Sequence, residues 1–127
     1  MDKDAMIELS KKFLGSWNVQ DVEQVLACYT PDVFYRDPNT RGQVSGAQAL
    51  RRYLGKLFGA WDMHWSLREL YPLAGIDGCA LLWHATLKKA GGDKTVEIDG
   101  MDLVHLEGAL IKRNDVYFDR AALAALL

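Results

Sequence analysis

The chain has 127 residues, half of them apolar and a quarter charged, with a formal charge of −2. Length and composition fit a single globular domain spanning 1–127 with its own hydrophobic core, and they exclude a disordered chain. The near-neutral charge, with no Lys/Arg cluster interleaved with aromatics, excludes nucleic acid as a partner.

No apolar run reaches the length of a membrane span, and MDKDAMIELSKK is charged where a signal peptide would be apolar. The expectation is a cytoplasmic protein without a membrane partner. Cys28 and Cys79 stand far apart in apolar surroundings and read as reduced core residues. His64, His84 and His105 show no ligand spacing and the acidic residues no calcium-loop spacing, so neither a metal nor a cofactor is expected.

From Asp4 to Trp17, the apolar positions Met6, Leu9, Phe13 and Trp17 step by three or four and predict a helix. Asp21 with Gln24 predicts a capped second helix carrying Val22, Val25, Leu26 and Tyr29 on one face, ended by Thr30 and Pro31. A strand VFYRDP follows. Ser45 with Gln48 predicts the cap of a third helix whose stripe is Leu50, Tyr53, Leu54, Leu57, Phe58 and Trp61. From Met63 the period becomes two, with Met63, Trp65, Leu67 and Tyr71 on one face. Further strands are predicted at about 78–89, 94–106 and 110–118, separated by the turn signals AGGD and EG, and DRAALAALL reads as a short helix capped by Asp119. Helices followed by antiparallel strands make an α+β domain, with the sheet curling over the third helix and a pocket between them.

In VFYRDP the alternation puts Val33, Tyr35 and Asp37 on one face, and Pro38 stops the ladder there. A carboxylate on the rim of a partly dry cavity is a good proton acceptor. The alternative is a plain turn in which Asp37 binds local backbone amides.

The stretches FLGSWNVQDVEQVLACYTPDVFYRDP, VSGAQALRRYL and GMDLVHLEGALIKRNDVYFD resemble the nuclear transport factor two-like superfamily, which includes ketosteroid isomerases and SnoaL-like polyketide cyclases. The resemblance covers essentially the whole chain. It implies a cone-shaped roll: a strongly bent antiparallel sheet wrapped around N-terminal helices, enclosing an internal pocket. It makes Asp37, directly before Pro38, the general base, and Asp102 a protonated donor to an oxyanion. An apolar setting can keep a carboxyl neutral for that second role, as it does in the ketosteroid isomerases. The register that points Asp102 inward also turns in Val96, Ile98 and Gly100, whereas the other register turns in Asp99 and Met101. Where the isomerases carry an oxyanion tyrosine on the first helix this chain has Phe13, which argues against steroid isomerase activity.

The same alignment turns Leu82, His84 and Thr86 inward, and Asn114, Val116 and Phe118 on the last strand. His84 is then a third catalytic candidate, or a hydrogen-bonded structural residue. Asn114 is a substrate partner or a plain strand polar residue. Phe13, Trp17, Tyr35, Tyr53, Trp61, Trp65, Leu82 and Phe118 are expected to line a pocket for a small hydrophobic, cyclic or aromatic ligand. Leu81, Trp83, Ala85 and Leu87 then form an apolar outer face, and the resemblance implies a homodimer across it. The expected function is an isomerase- or cyclase-type enzyme. The alternatives are a cofactor-free hydrolase or dehydratase, and a non-catalytic binding or assembly module.

Overall fold

A computed structural model describes residues 1–127. The elements run α1 (Lys3–Val19), α2 (Val22–Leu26), β1 (Tyr29–Arg36), β2 (Val44–Ser45), α3 (Ala47–Ala60), β3 (Trp61–Pro72), β4 (Gly78–Lys89), β5 (Thr95–Glu107) and β6 (Leu110–Tyr117). A C-terminal 3-10 helix closes the chain at Arg120–Leu126. The strands form one curved, unclosed sheet in the order β2-β1-β6-β5-β4-β3, all antiparallel except for the parallel pair β1 and β6. No helix is long and apolar enough to cross a membrane.

α1 begins where the Asp2 carboxylate accepts from the Ala5 amide, and it buries Met6, Phe13, Leu14 and Trp17. It ends at Gln20, which takes the left-handed conformation at φ 57°. The Gln20 side chain then joins three elements: Nε2 donates to the carbonyls of Phe58 and Trp61, and Oε1 accepts from the Met63 amide at 2.7 Å. One amide thus satisfies carbonyls left over at the end of α3 and fixes the start of β3 against α1.

Asp21 caps α2 by accepting from the Gln24 amide, as its spacing predicts, but α2 is only one turn long. Tyr29, expected on that helix, opens β1, and Thr30 and Pro31 lie inside the strand. Ser45 does not cap α3; it sits in β2, and Gly46 occupies the cap at φ 87° with no side-chain bond. Trp61 is the first residue of β3 rather than the last of the helical stripe. A bulge between Leu67 and Glu69 shifts the alternation in β3, so Leu70 is buried and Tyr71 exposed, the reverse of the expected phase for Tyr71.

The larger correction concerns β4. Leu81 pairs with Asp102, Trp83 with Gly100 and Ala85 with Ile98, and directly opposed residues share a face. Leu81, Trp83, Ala85 and Leu87 are therefore core, each at most 5% exposed. Leu82, His84 and Thr86 point outward, against the expectation that they line the pocket. The apolar stripe read as an outer pairing surface is the floor of the molecule.

Candidate functional site

Asp37 follows the last residue of β1 and continues its inward face, below the buried Val33 and Tyr35. Pro38 cannot extend the ladder, so the chain turns: the Thr40 amide donates to the Asp37 carbonyl, and the Asn39 amide to Asp37 Oδ1 at 2.6 Å. The second carboxylate oxygen takes another kind of partner. Tyr35 donates its hydroxyl to Oδ2 at 2.8 Å, and Tyr53, from α3, donates to the same oxygen. The local-turn contact of Asp37 therefore falls on one oxygen, and the contacts with the two phenols fall on the other. Burial, and after it the adjacent Asp37 charge, push the Tyr35 and Tyr53 phenols above their ordinary range, so both remain O–H donors at neutral pH.

Asp102 lies in the middle of β5, 5% exposed. Trp83 Nε1 donates to Oδ1 at 2.8 Å, and Asn114 Nδ2 donates to Oδ2 at 3.1 Å. Asn114 in turn accepts the Tyr29 hydroxyl at 2.7 Å, which fixes the orientation of its amide. Burial pushes the Asp102 carboxyl up to about 6; the two N–H donors oppose this, and the nearby charge of Asp37 adds to it.

Both carboxyls line one cavity, about 620 Å³ of atom-free space including its open mouth. Its walls are aromatic: Phe13 and Trp17 from α1, Tyr35, Tyr53, and Trp61, Trp65, Trp83 and Phe118 from the sheet and its end. The rings interlock, with Trp17 stacked on Tyr35 at 6.2 Å and Trp65 edge-on to Trp83 at 4.6 Å. The arrangement can accept a proton at one carboxylate and hold or release one at the other, within a low-dielectric wall.

Of the expected site residues, Asp37, Asp102, Phe13, Trp17, Tyr35, Tyr53, Trp61, Trp65 and Phe118 come together on this cavity. Asn114 sits behind Asp102, as the residue that holds it. Leu82 and His84 do not belong to the site. His84 lies on the opposite face of the sheet, with Nδ1 2.8 Å from Asp99 and Nε2 3.2 Å from Glu97, and these two contacts, Asp99 first, raise its pKa. It is a surface ion-pair residue. Asp99 is outward as well, so the register is the one that turns Asp102 inward.

Sequence reasoning missed Leu14, Asn39, Leu57, Met63, Trp83, Leu87 and Leu123 as wall residues. Trp83 was within reach: once Asp102 is inward, its strand partner Leu81, and with it Trp83, must follow. Leu123 comes from the C-terminal 3-10 helix, whose Arg120 Nε donates to Asn39 Oδ1 at 2.9 Å. No short-range signal predicts that contact.

The fold is shared with several solved structures. TerC, crystallised with polyporic acid, is 19% identical with a TM-score of 0.81, covering 96% of this chain and 97% of that one. SalBIII, described as an epoxide hydrolase/cyclase-like enzyme in pyran ring formation, is 18% identical with a TM-score of 0.82 and covers 95% of each chain. A protein of ketosteroid isomerase-like fold from Catenulispora acidiphila, in complex with trimethylamine, is 12% identical with a TM-score of 0.83, covering 94% and 91%. Likeness at these identities establishes the fold and not the reaction. No curated protein matches the sequence. The SnoaL-like domain model, however, matches residues 11–114, and the chain belongs to that family, within the NTF2-like superfamily.

Proposed function

We propose that the cavity is the active site of an isomerase- or cyclase-type enzyme that uses its own side chains to move a proton on a small, largely apolar, carbonyl-containing substrate. The observation that carries this reading is the pair of buried carboxyls, Asp37 and Asp102, in the wall of one aromatic cavity. Asp37 takes a proton from the carbon beside the carbonyl, and the C–H electron pair passes into the enolate. Asp102 in its acid form donates a hydrogen bond to the enolate oxygen. A carboxyl pushed up to about 6 supplies that form in a fraction of molecules at neutral pH, and a substrate that displaces water increases the fraction. Where a C=C is conjugated with the enolate, Asp37 returns the proton to its far carbon and completes an isomerisation; where the enolate attacks a second carbonyl of the substrate, a C–C bond closes the ring and the Asp37 proton passes to the new alkoxide.

The test uses 2-tetralone, an enolisable aromatic ketone, in D2O, with α-proton exchange followed by NMR. The parent protein is expected to accelerate exchange, and Asp37→Asn to slow the catalysed rate by roughly a thousandfold. Equal rates for the two proteins would remove Asp37 as the base.

A second reading draws on the same pair. An acid at Asp102 can protonate the oxygen of a strained ether while Asp37 takes the proton of the attacking hydroxyl or water, which is hydrolase or cyclase chemistry of the kind named for SalBIII. Opening of a hydroxy-epoxide without any α-exchange of the ketone would select it. Saturable binding with neither reaction would instead identify a binding module.

A further inference from the structure

The charges of the cavity do not balance. Asp37 and Asp102 are 8% and 5% exposed, and neither belongs to any ion pair of the chain. Every donor to them is neutral: the Asn39 amide and two phenols at Asp37, an indole and a carboxamide at Asp102. No Lys, Arg or His lines the cavity. Arg120 is linked to it only by way of Asn39, whose side-chain oxygen it meets at 2.9 Å. Such hydrogen bonds satisfy the oxygens but bring no opposite charge, and a buried carboxylate without one is costly.

The rest of the wall narrows what could supply that charge. Apart from Asp37, Asp102 and Asn39, every lining residue is apolar or aromatic. A hard metal ion needs six or more oxygen ligands, and no third metal-ligating side chain joins the two carboxyls. An organic cation fits both features, because aromatic rings accept an ammonium group while the body of such a ligand fills apolar space.

We infer that the cavity takes a second class of ligand, an organic ammonium whose apolar rings pack among the aromatic side chains and whose charge is balanced by Asp37 and Asp102. The inference rests on the cavity being the ligand site, but not on any proton transfer. It also sets two ligand classes apart by one proton. The proposed reaction calls on the acid form of Asp102, whereas an ammonium ligand favours the ionised form. Burial puts that change at about 6. The titratable groups near Asp102 are Asp37 at the end of β1, Tyr29 in β1 and Cys79 in β4. α1 presents Phe13, Leu14 and Trp17, and β6 presents Asn114 and Val116, none of which titrates. Tyr29 and Cys79 are raised by burial and stay neutral between about pH 5 and 8.

The experiment uses three probes with the same rings and different charges: tetralin, 2-aminotetralin, which is a cation throughout that range, and tetralin-2-carboxylate. Calorimetric titration of the parent at about pH 8 is expected to show the ammonium binding roughly tenfold more tightly than tetralin, and the carboxylate binding more weakly than tetralin. Lowering the pH to about 5 protonates Asp102; it is expected to weaken ammonium binding by roughly three- to tenfold and to leave tetralin binding within about twofold. Asp37→Asn removes one charge and keeps the shape, so ammonium binding should fall by roughly tenfold while tetralin binding holds. The fall with pH should persist in that variant, which assigns it to Asp102. The charge series and the pH step are read on the parent, so they stand if the variant fails to fold. Equal affinities for the three probes, tighter binding of the carboxylate, or ammonium binding indifferent to pH would overturn the inference. Exchange of 2-tetralone is followed on the same protein. Exchange without an ammonium preference would keep the proposed reaction and sink this inference, and an ammonium preference without exchange would do the reverse.

Discussion

Asp37 and Asp102 share a cavity, yet opposite means hold them there. Asp37 stands where a strand ends, one oxygen tied to its own turn and the other to two phenols, one from its strand and one from α3. Asp102 stands in mid-strand, and both its donors, Trp83 and Asn114, come from the strands on either side. One carboxylate is assembled mostly from neighbours close in sequence, while the other depends on the registers of three strands. Local chemistry can build the first; only the correct sheet can build the second.

The most disruptive way to break this contrast is at Gly100. A Cβ there would meet Trp83 ring carbons at 2.5 and 2.6 Å and the Tyr117 carbonyl oxygen at 2.7 Å. Gly100→Ala must therefore displace the indole that holds Asp102, and urea denaturation is expected to show a loss of about 3 kcal/mol. A loss below about 0.5 kcal/mol would mean that the Asp102 setting yields freely.

The next effect appears in the pH dependence of stability. Burial raises the Asp102 pKa above its ordinary value of 3.8, so the folded chain holds that proton more tightly than the unfolded one. Its contribution is fully present below 3.8 and is lost as pH rises through about 6, by an amount on the order of 3 kcal/mol. Asp102→Asn cannot titrate, so its stability curve should be flatter across that window; parallel curves would refute the assignment.

Tyr53→Phe removes one phenol from Asp37 and leaves Tyr35 in place. A loss of about 1 kcal/mol is expected by thermal unfolding, because the partner oxygen keeps a donor. The smallest effect belongs outside the cavity. His84→Ala removes a screened surface contact with Asp99 and Glu97, so the melting temperature and the 2-tetralone affinity should both match the parent within measurement error. A large change in affinity would reinstate His84 at the site.

Much of this fold can be read from residue pattern. The helical stripes of α1 and α3, the change to period two at Met63, and the proline that halts β1 beside Asp37 are all local signals. β4 shows where such signals fail. Leu81, Trp83, Ala85 and Leu87 compete with Leu82, His84 and Thr86 for the interior, and apolar content alone does not rank a strand with two greasy faces. The connection from Lys88 to its partner Thr95 decides, because its length sets whether odd or even positions oppose Asp102. The bulge in β3 and the reach of Arg120 to Asn39 are likewise properties of the assembled sheet. Tyr29 failed for another reason: its apolar spacing suits a second helix, but the single turn of α2 ends before it.

The C-terminal 3-10 helix has a consequence for the integrity of the cavity. It lies outside the sheet, yet Leu123 forms part of the wall, Leu126 is buried, and Arg120 steadies the loop beside Asp37. Removing residues 120–127 would therefore strip one side of the cavity and release the loop beside Asp37 in the same step, so the ligand space and its carboxylate both lean on a segment outside the sheet.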